Sequence, residues 1–173
     1  TGFNFIAYRR AALLSNASFT KRMEEWIMGG GHLVLMVDRA DSDHDDWSRY
    51  RFSIESHMDS SLSTLLKEAE LEVTLRGISS KGGTPFTQIP FDGMEYKVTA
   101  EANSTVKEGK GEDGVFASAE YGDGRITVLT DARIFRNRWI GDREHASLLR
   151  ALIEISPNAG AVMFVRGSGI SFW

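Results

Sequence analysis

The segment from Ser18 to Val37 constrains the fold more than any other part of the chain. Phe19, Met23, Trp26 and Ile27 recur at the spacing of one helical face, Gly29-Gly30-Gly31 follows, and His32 to Val37 then runs apolar without interruption. Three glycines end a helix cleanly, because glycine accepts a left-handed C-cap without cost and lets the chain turn sharply. A continuous apolar run is the pattern of a strand covered on both faces. With the short apolar stretch Phe3 to Tyr8 before it, the segment predicts a strand, helix, strand unit with parallel strands, and Asn16 or Ser18 stands where the helix N-cap falls.

Composition narrows the function. The chain has 173 residues, a net charge of -4 and no cysteine. That length suits one domain, read as a single unit over residues 1–173. The charge gives no reason to expect nucleic acid, since phosphate binding draws on clustered Lys and Arg. Without cysteine there is no disulfide, no thiolate metal site and no cysteine nucleophile. The longest apolar runs, His32 to Val37 and Ala161 to Val165, fall far short of the roughly 18 to 20 residues a spanning helix needs. The chain begins at Thr1 without an initiator Met or signal peptide, as expected of a segment excised from something longer.

Further along, residues 38 to 60 turn acidic and are expected to form an irregular insertion, and Ser61 to Glu70 suggests a short helix facing inward through Leu62, Leu65 and Leu66. Leu71 to Leu75 and Met94 to Ala100 alternate as strands do, whereas Ile78 to Pro90 and Asn103 to Gly114 read as loops, the second a mobile one. Val115 to Tyr121 and Arg125 to Thr130 read as strands of a hairpin closed by Gly122-Asp123-Gly124. Asp142 is expected to cap a helix reaching about Ile155, with Leu149, Leu152 and Ile153 inward, before a closing strand at Ala161 to Val165.

Few residues carry recognisable chemistry. Asp41, Asp43, Asp45 and Asp46 suggest a calcium loop, but Asp46 stands where an EF-hand turn needs glycine and Phe52 where it needs a bidentate glutamate. The reading is a solvated acidic loop, and no metal or cofactor is expected. No two of His32, His44, His57 and His145 have the spacing of paired zinc ligands on a helix. His32 and His145 are expected to be hydrogen-bonded structural groups. Gly167-Ser168-Gly169 lacks the following helix of a nucleophile elbow and reads as a flexible exit. The connection from Thr130 to Asp142 is the exception, because it packs charged, amide and aromatic residues between a strand and a helix, where ligands bind in open α/β sheets. Asp131, Arg133, Asn137, Asp142 and His145 are therefore the candidate ligand or partner surface.

Three segments resemble a known family. Trp26-Ile27-Met28-Gly29-Gly30-Gly31-His32-Leu33-Val34 is similar to its W-v-x-x-G-G-h-L-v block. Tyr121 to Leu149 is similar to its G-x-G-x-v-x-v-x-t-D-x-x-x-f-x-N-x-x-I-g-x-x-d-h-A-x-L-L block, and Val162 to Trp173 to the stretch ending in s-l/f-W before a membrane span. The family is domain-of-unknown-function family 4350, membrane-anchored bacterial proteins with a glutamine-amidotransferase-like fold. The resemblance covers rather less than half the chain, and the middle block is its most specific part.

The resemblance implies an α/β fold: a mostly parallel central sheet flanked by helices, a flavodoxin-like or amidotransferase-like three-layer sandwich, whose first βα unit, expected before Phe3, is either missing or outside this sequence. It implies membrane spans on either side of the domain and an extracytoplasmic, periplasmic location. Amidotransferases attack with a cysteine, which this chain lacks, so glutaminase chemistry is excluded. Family members are commonly encoded beside AAA-type ATPases and other membrane proteins. The expected function is thus a non-enzymatic interaction domain with a protein partner in a membrane-associated assembly. The alternative is a small-molecule-binding or hydrolytic domain with its site at the 131–145 loop, and a third, weaker option is cation binding at Asp41 to Asp46.

Overall fold

The computed structural model describes residues 2–8, 17–37, 60–75, 86–100, 104–155, 159–166 and 169–172. The acidic residues Asp41 to Asp46, with His44 and His57, lie outside them. Among the described residues, β1 (Gly2–Tyr8), α1 (Ala17–Met28) and β2 (His32–Met36) form the first unit, and β1 and β2 pair in parallel with Ile6 opposite Val34. Ser18 lies inside α1 and not at its cap.

α2 (Ser60–Glu68), β3 (Leu71–Leu75), β4 (Phe86–Phe91), β5 (Met94–Thr99) and β6 (Ser104–Glu108) follow, then β7 (Phe116–Tyr121), β8 (Gly124–Leu129), α3 (His145–Glu154), β9 (Ala159–Arg166) and β10 (Gly169–Phe172). Six strands form one sheet in the order β10-β9-β1-β2-β8-β7, while β3 pairs β6 and β4 pairs β5 in two separate two-stranded sheets.

This topology corrects the expected mostly parallel, flavodoxin-like or amidotransferase-like sandwich. β1–β2, β1–β9 and β2–β8 are parallel, but β9–β10, β7–β8, β3–β6 and β4–β5 are antiparallel, so antiparallel pairings outnumber parallel ones. The cause is local: tight turns after Tyr121 and Phe91 can join only antiparallel neighbours, because a parallel pair needs a long crossover. The β3–β6 and β4–β5 pairs also pack on the main sheet alongside the helices.

Alternation along β2 distributes the core. Leu33, Leu35 and Val37 meet Ile27, Leu62, Leu66, Val106, Ile126 and Val128 on one face, beneath α1, α2 and the β3–β6 sheet. Val34 and Met36 meet Ile89, Val98, Leu129, Leu148 and Leu152 on the other, beneath α3 and the β4–β5 hairpin. Both faces of β2 are covered, which is why its apolar run is unbroken.

Three segments depart from the sequence expectation. Residues 86–91 and 104–108, read as loops, are strands, and β10 takes up part of the supposed flexible exit. Pro90 is tolerated because the β4–β5 pair is a two-stranded sheet, whose strands are both edges. α3 starts at His145 and not at Asp142, and its buried face is His145, Leu148 and Leu152.

Candidate functional site

The connection from β8 to α3 holds the residues singled out in the sequence. Buried Asp131 caps a short 3-10 helix, Ala132–Phe135, and accepts from Arg133 three times: from its main-chain N–H at 3.1 Å, its Nε at 2.9 Å and its Nη2 at 2.7 Å. The guanidinium so close in sequence satisfies a carboxylate that burial would otherwise penalise.

His145, fully buried, closes the loop. Its Nδ1–H donates to the Trp139 carbonyl at 2.7 Å and its Nε2 accepts the Thr99 N–H at 2.9 Å. Glu144 adds two bonds to Lys97, donating its own N–H to the carbonyl and accepting the Lys97 N–H on Oε2 at 2.7 Å. Together they fasten the start of α3 to β5. Asp142 contributes its main-chain carbonyl to the His145 N–H, and Glu144 occupies the cap position without a side-chain bond to the helix's own N–H groups. Asn137 and Asp142 are exposed. Asp131, Arg133 and His145 therefore build the loop.

A second arrangement, which the sequence reading missed, runs through the sheet. His32, Thr127 and Ser118 come from the adjacent strands β2, β8 and β7 and share one face. His32 Nδ1 lies 3.0 Å from the Leu152 carbonyl and Nε2 2.8 Å from Thr127 Oγ1, and Thr127 Oγ1 lies 2.7 Å from Ser118 Oγ.

The directions follow from elementary valence. A carbonyl only accepts, so Nδ1 carries the proton. Burial is the main reason the His32 pKa is lowered to about 4; the Leu152 bond opposes the shift and the Arg125 charge adds to it. The ring is then neutral and Nε2 accepts from Thr127, whose oxygen accepts from Ser118. Arg125 Nη1 points at Ser118 Oγ from 3.4 Å, and its Nη2 pairs with Glu120 at 3.3 Å. Phe91 stacks on the His32 ring, with Phe116 edge-on against Phe91.

Ser118 and Arg125 line two clefts that share them with Glu108. One, of about 510 Å³, adds Glu68, Glu70, Ala119 and Glu120; the other, of about 320 Å³, adds Phe91, Asp92, Lys107, Glu112 and Phe116. Both follow the outer edge of β7, the last strand of its sheet. The Thr130 N–H donates to the Val115 carbonyl across the β7–β8 register. Bonded and non-bonded pairs alternate, so Phe116, Ser118 and Glu120 turn their main-chain groups away from β8, toward the clefts. Carboxylates outnumber cations there, and Lys107 is itself paired with Glu72 at 2.7 Å. At the end of β7 the Tyr121 hydroxyl reaches Glu68 at 3.1 Å and Glu24 at 3.2 Å, and burial, then the Glu68 bond, raise its pKa above the usual phenol range. Among the described residues no cluster of three or more histidine and acidic side chains is arranged to hold a metal ion.

Fold and clefts together define an α/β domain with a mixed sheet and an acidic groove along one sheet edge. The chain belongs to the family described as a domain of unknown function (DUF4350), whose model matches residues 10–153. No curated protein matches the chain. Among solved structures it is similar to the mmIFT52 N-terminal domain, with 11% identity, a TM-score of 0.51, and 85% of this chain and 73% of that chain covered. That likeness is one of fold alone. A catalytic mutant of Gan42B, a GH42 β-galactosidase from G. stearothermophilus, is similar at 14% identity and a TM-score of 0.44, covering 87% of this chain but 21% of the enzyme.

Proposed function

We propose that the chain is a protein-docking domain whose groove along β7 receives an extended, basic segment of a partner. The observation that carries the reading is the pair of clefts along β7, the last strand of its sheet, where outward main-chain groups of Phe116, Ser118 and Glu120 meet a lining rich in carboxylates beyond the point where β6 bridges the chain at Gly114. Strand addition to a sheet edge gets affinity from main-chain hydrogen bonds and specificity from alternate side chains, and Glu68, Glu70, Glu108 and Glu120 complement lysine or arginine at those positions. The reading keeps the partner protein expected from the sequence and moves its contact surface from the 131–145 loop to the groove, because Asp131, Arg133 and His145 are engaged in building that loop.

The test is fluorescence anisotropy with labelled extended peptides, one alternating lysine and valine and one alternating glutamate and valine. Saturable binding of the lysine peptide alone, lost in the Glu70→Lys, Glu108→Lys double variant, is expected. Equal affinity of wild type and double variant for the lysine peptide would sink the proposal.

Attachment to a membrane, with the domain on its outer side, belongs to the same proposal. Its support is the similarity of Val162 to Trp173 to the family stretch that precedes a span. Among the described residues no helix is long and apolar enough to cross a membrane. Protease digestion of spheroplasts carrying the full-length protein tests the orientation: cleavage of the domain from outside is expected, and protection until lysis would refute it.

A further inference from the structure

Docking makes no use of the hydrogen-bonded line behind the groove. We propose that Ser118 is a catalytic nucleophile, relaying its proton through Thr127 to His32, for small carboxylic esters of positively charged alcohols. The inference stands apart from the docking reading, since it rests on the line of side chains and not on the strand edge.

Geometry supplies each requirement of an activated serine. Ser118 alone of the three lines the clefts, while Thr127 and His32 are buried behind it. A base acting through one intervening hydroxyl is the equivalent of a base acting through one water, and the two steps here are 2.7 and 2.8 Å. The Leu152 carbonyl fixes the ring and its tautomer, as the third member of a nucleophile, base and orienting group does. Burial keeps the imidazole neutral, so Nε2 holds no proton in the neutral range and can take one, as a weaker base than an exposed imidazole. Phe91 stacks on the ring, and Phe116 meets Phe91 edge-on. Arg125 Nη1, already 3.4 Å from Ser118 Oγ, faces the negative charge that forms on the carbonyl oxygen. The surplus of carboxylates around the serine favours a substrate that carries positive charge.

The chemistry balances. As Ser118 Oγ bonds to the ester carbon, its proton moves to Thr127 Oγ1, the Thr127 proton moves to His32 Nε2, and the carbonyl π pair becomes the oxyanion. Collapse breaks the bond to the alcohol oxygen, which recovers a proton from His32 by the same path, leaving Ser118 acylated. Water repeats the sequence, releasing the acid and restoring the serine.

A fluorophosphonate probe tests this on the full chain, with adducts mapped by peptide mass spectrometry. The Ser118 oxygen displaces fluoride from phosphorus. The expected result is an adduct at Ser118 and none at Ser63 or Ser147, exposed serines on α2 and α3 that serve as internal controls. Thr127→Val, with its fold checked by circular dichroism, should slow labelling about a hundredfold, whereas Thr127→Ser, which keeps the bridging hydroxyl, should preserve it. A purely structural line leaves Ser118 no more reactive than the controls, and that result overturns the proposal. Labelling of Thr127→Val at the wild-type rate overturns it too. If Thr127→Val does not fold, the comparison of Ser118 with its internal controls decides.

Discussion

At the scale of the residue, His32 shows what burial does to a titratable group. Its folded pKa of about 4 lies below the ordinary 6.5, so the unfolded chain binds the proton more tightly. Stability from this group is complete above pH 6.5 and is lost as pH falls from 6.5 through 4. The gap amounts to about 3 kcal/mol at ~1.4 kcal/mol per unit. The melting temperature should drop over that window in the wild type and drop less in His32→Gln; parallel curves would refute the assignment. Asp131 and Asn137 make a second contrast. Asp131→Ala leaves the half-buried Arg133 without its bidentate carboxylate and should cost about 3 kcal/mol, whereas Asn137→Ala, on an exposed turn, should stay within about 0.5 kcal/mol. Chemical denaturation separates them, and equal midpoints for both variants would contradict this account of the loop.

At the scale of the element, the β7–β8 hairpin is locked to the end of α1 by glycines with different reasons for being glycine. Gly122 sits at φ +62, in the left-handed region, with a Cβ there only 2.8 Å from the Met28 main chain. Gly124 has an ordinary φ, but a Cβ would overlap the carbonyl oxygens of Ile27 and Gly31. Backbone cannot yield as a flexible side chain can. Gly124→Ala should therefore cost at least about 3 kcal/mol and break the register on which the Thr127 and Ser118 contact depends. Thermal unfolding checks this, and a loss below about 1 kcal/mol would show that the helix end moves aside. The hairpin was legible because its turn residues are contiguous, and β2 because its apolar run is unbroken. β4 and β6 were not: Pro90 and the glycine and lysine residues near β6 imitate loop composition, and only tertiary pairing makes those segments strands. The groove was hidden for a related reason. Glu68, Glu108, Ser118 and Arg125 come from α2, β6, β7 and β8, and no local spacing announces that they meet.

At the scale of the whole molecule, one sheet serves two cores, and this governs how the layers unfold. The first 37 residues predicted parallel neighbours for β1 and β2, but could not show that β7 and β10 close the sheet antiparallel at both edges, because strand order is settled by contacts remote in sequence. Leu35 packs beneath α1 and α2, and Leu148 packs on the opposite face, yet β2 and β8 supply residues to both layers. Losing either layer uncovers one face of the same two strands. Leu35→Ala and Leu148→Ala should each cost about 2–5 kcal/mol, through lost burial and the cavity left behind. Because the two side chains lie in separate clusters of the described residues, the double variant should lose the sum within about 0.5 kcal/mol. All three should unfold in one transition, with circular dichroism and tryptophan fluorescence giving the same midpoint in guanidinium chloride. Separate midpoints for the two probes in Leu148→Ala would mean that the α3 layer detaches on its own. The groove would then stand on the more persistent layer of β3, β6 and α2, with the His32 anchor at Leu152 lost before the fold is.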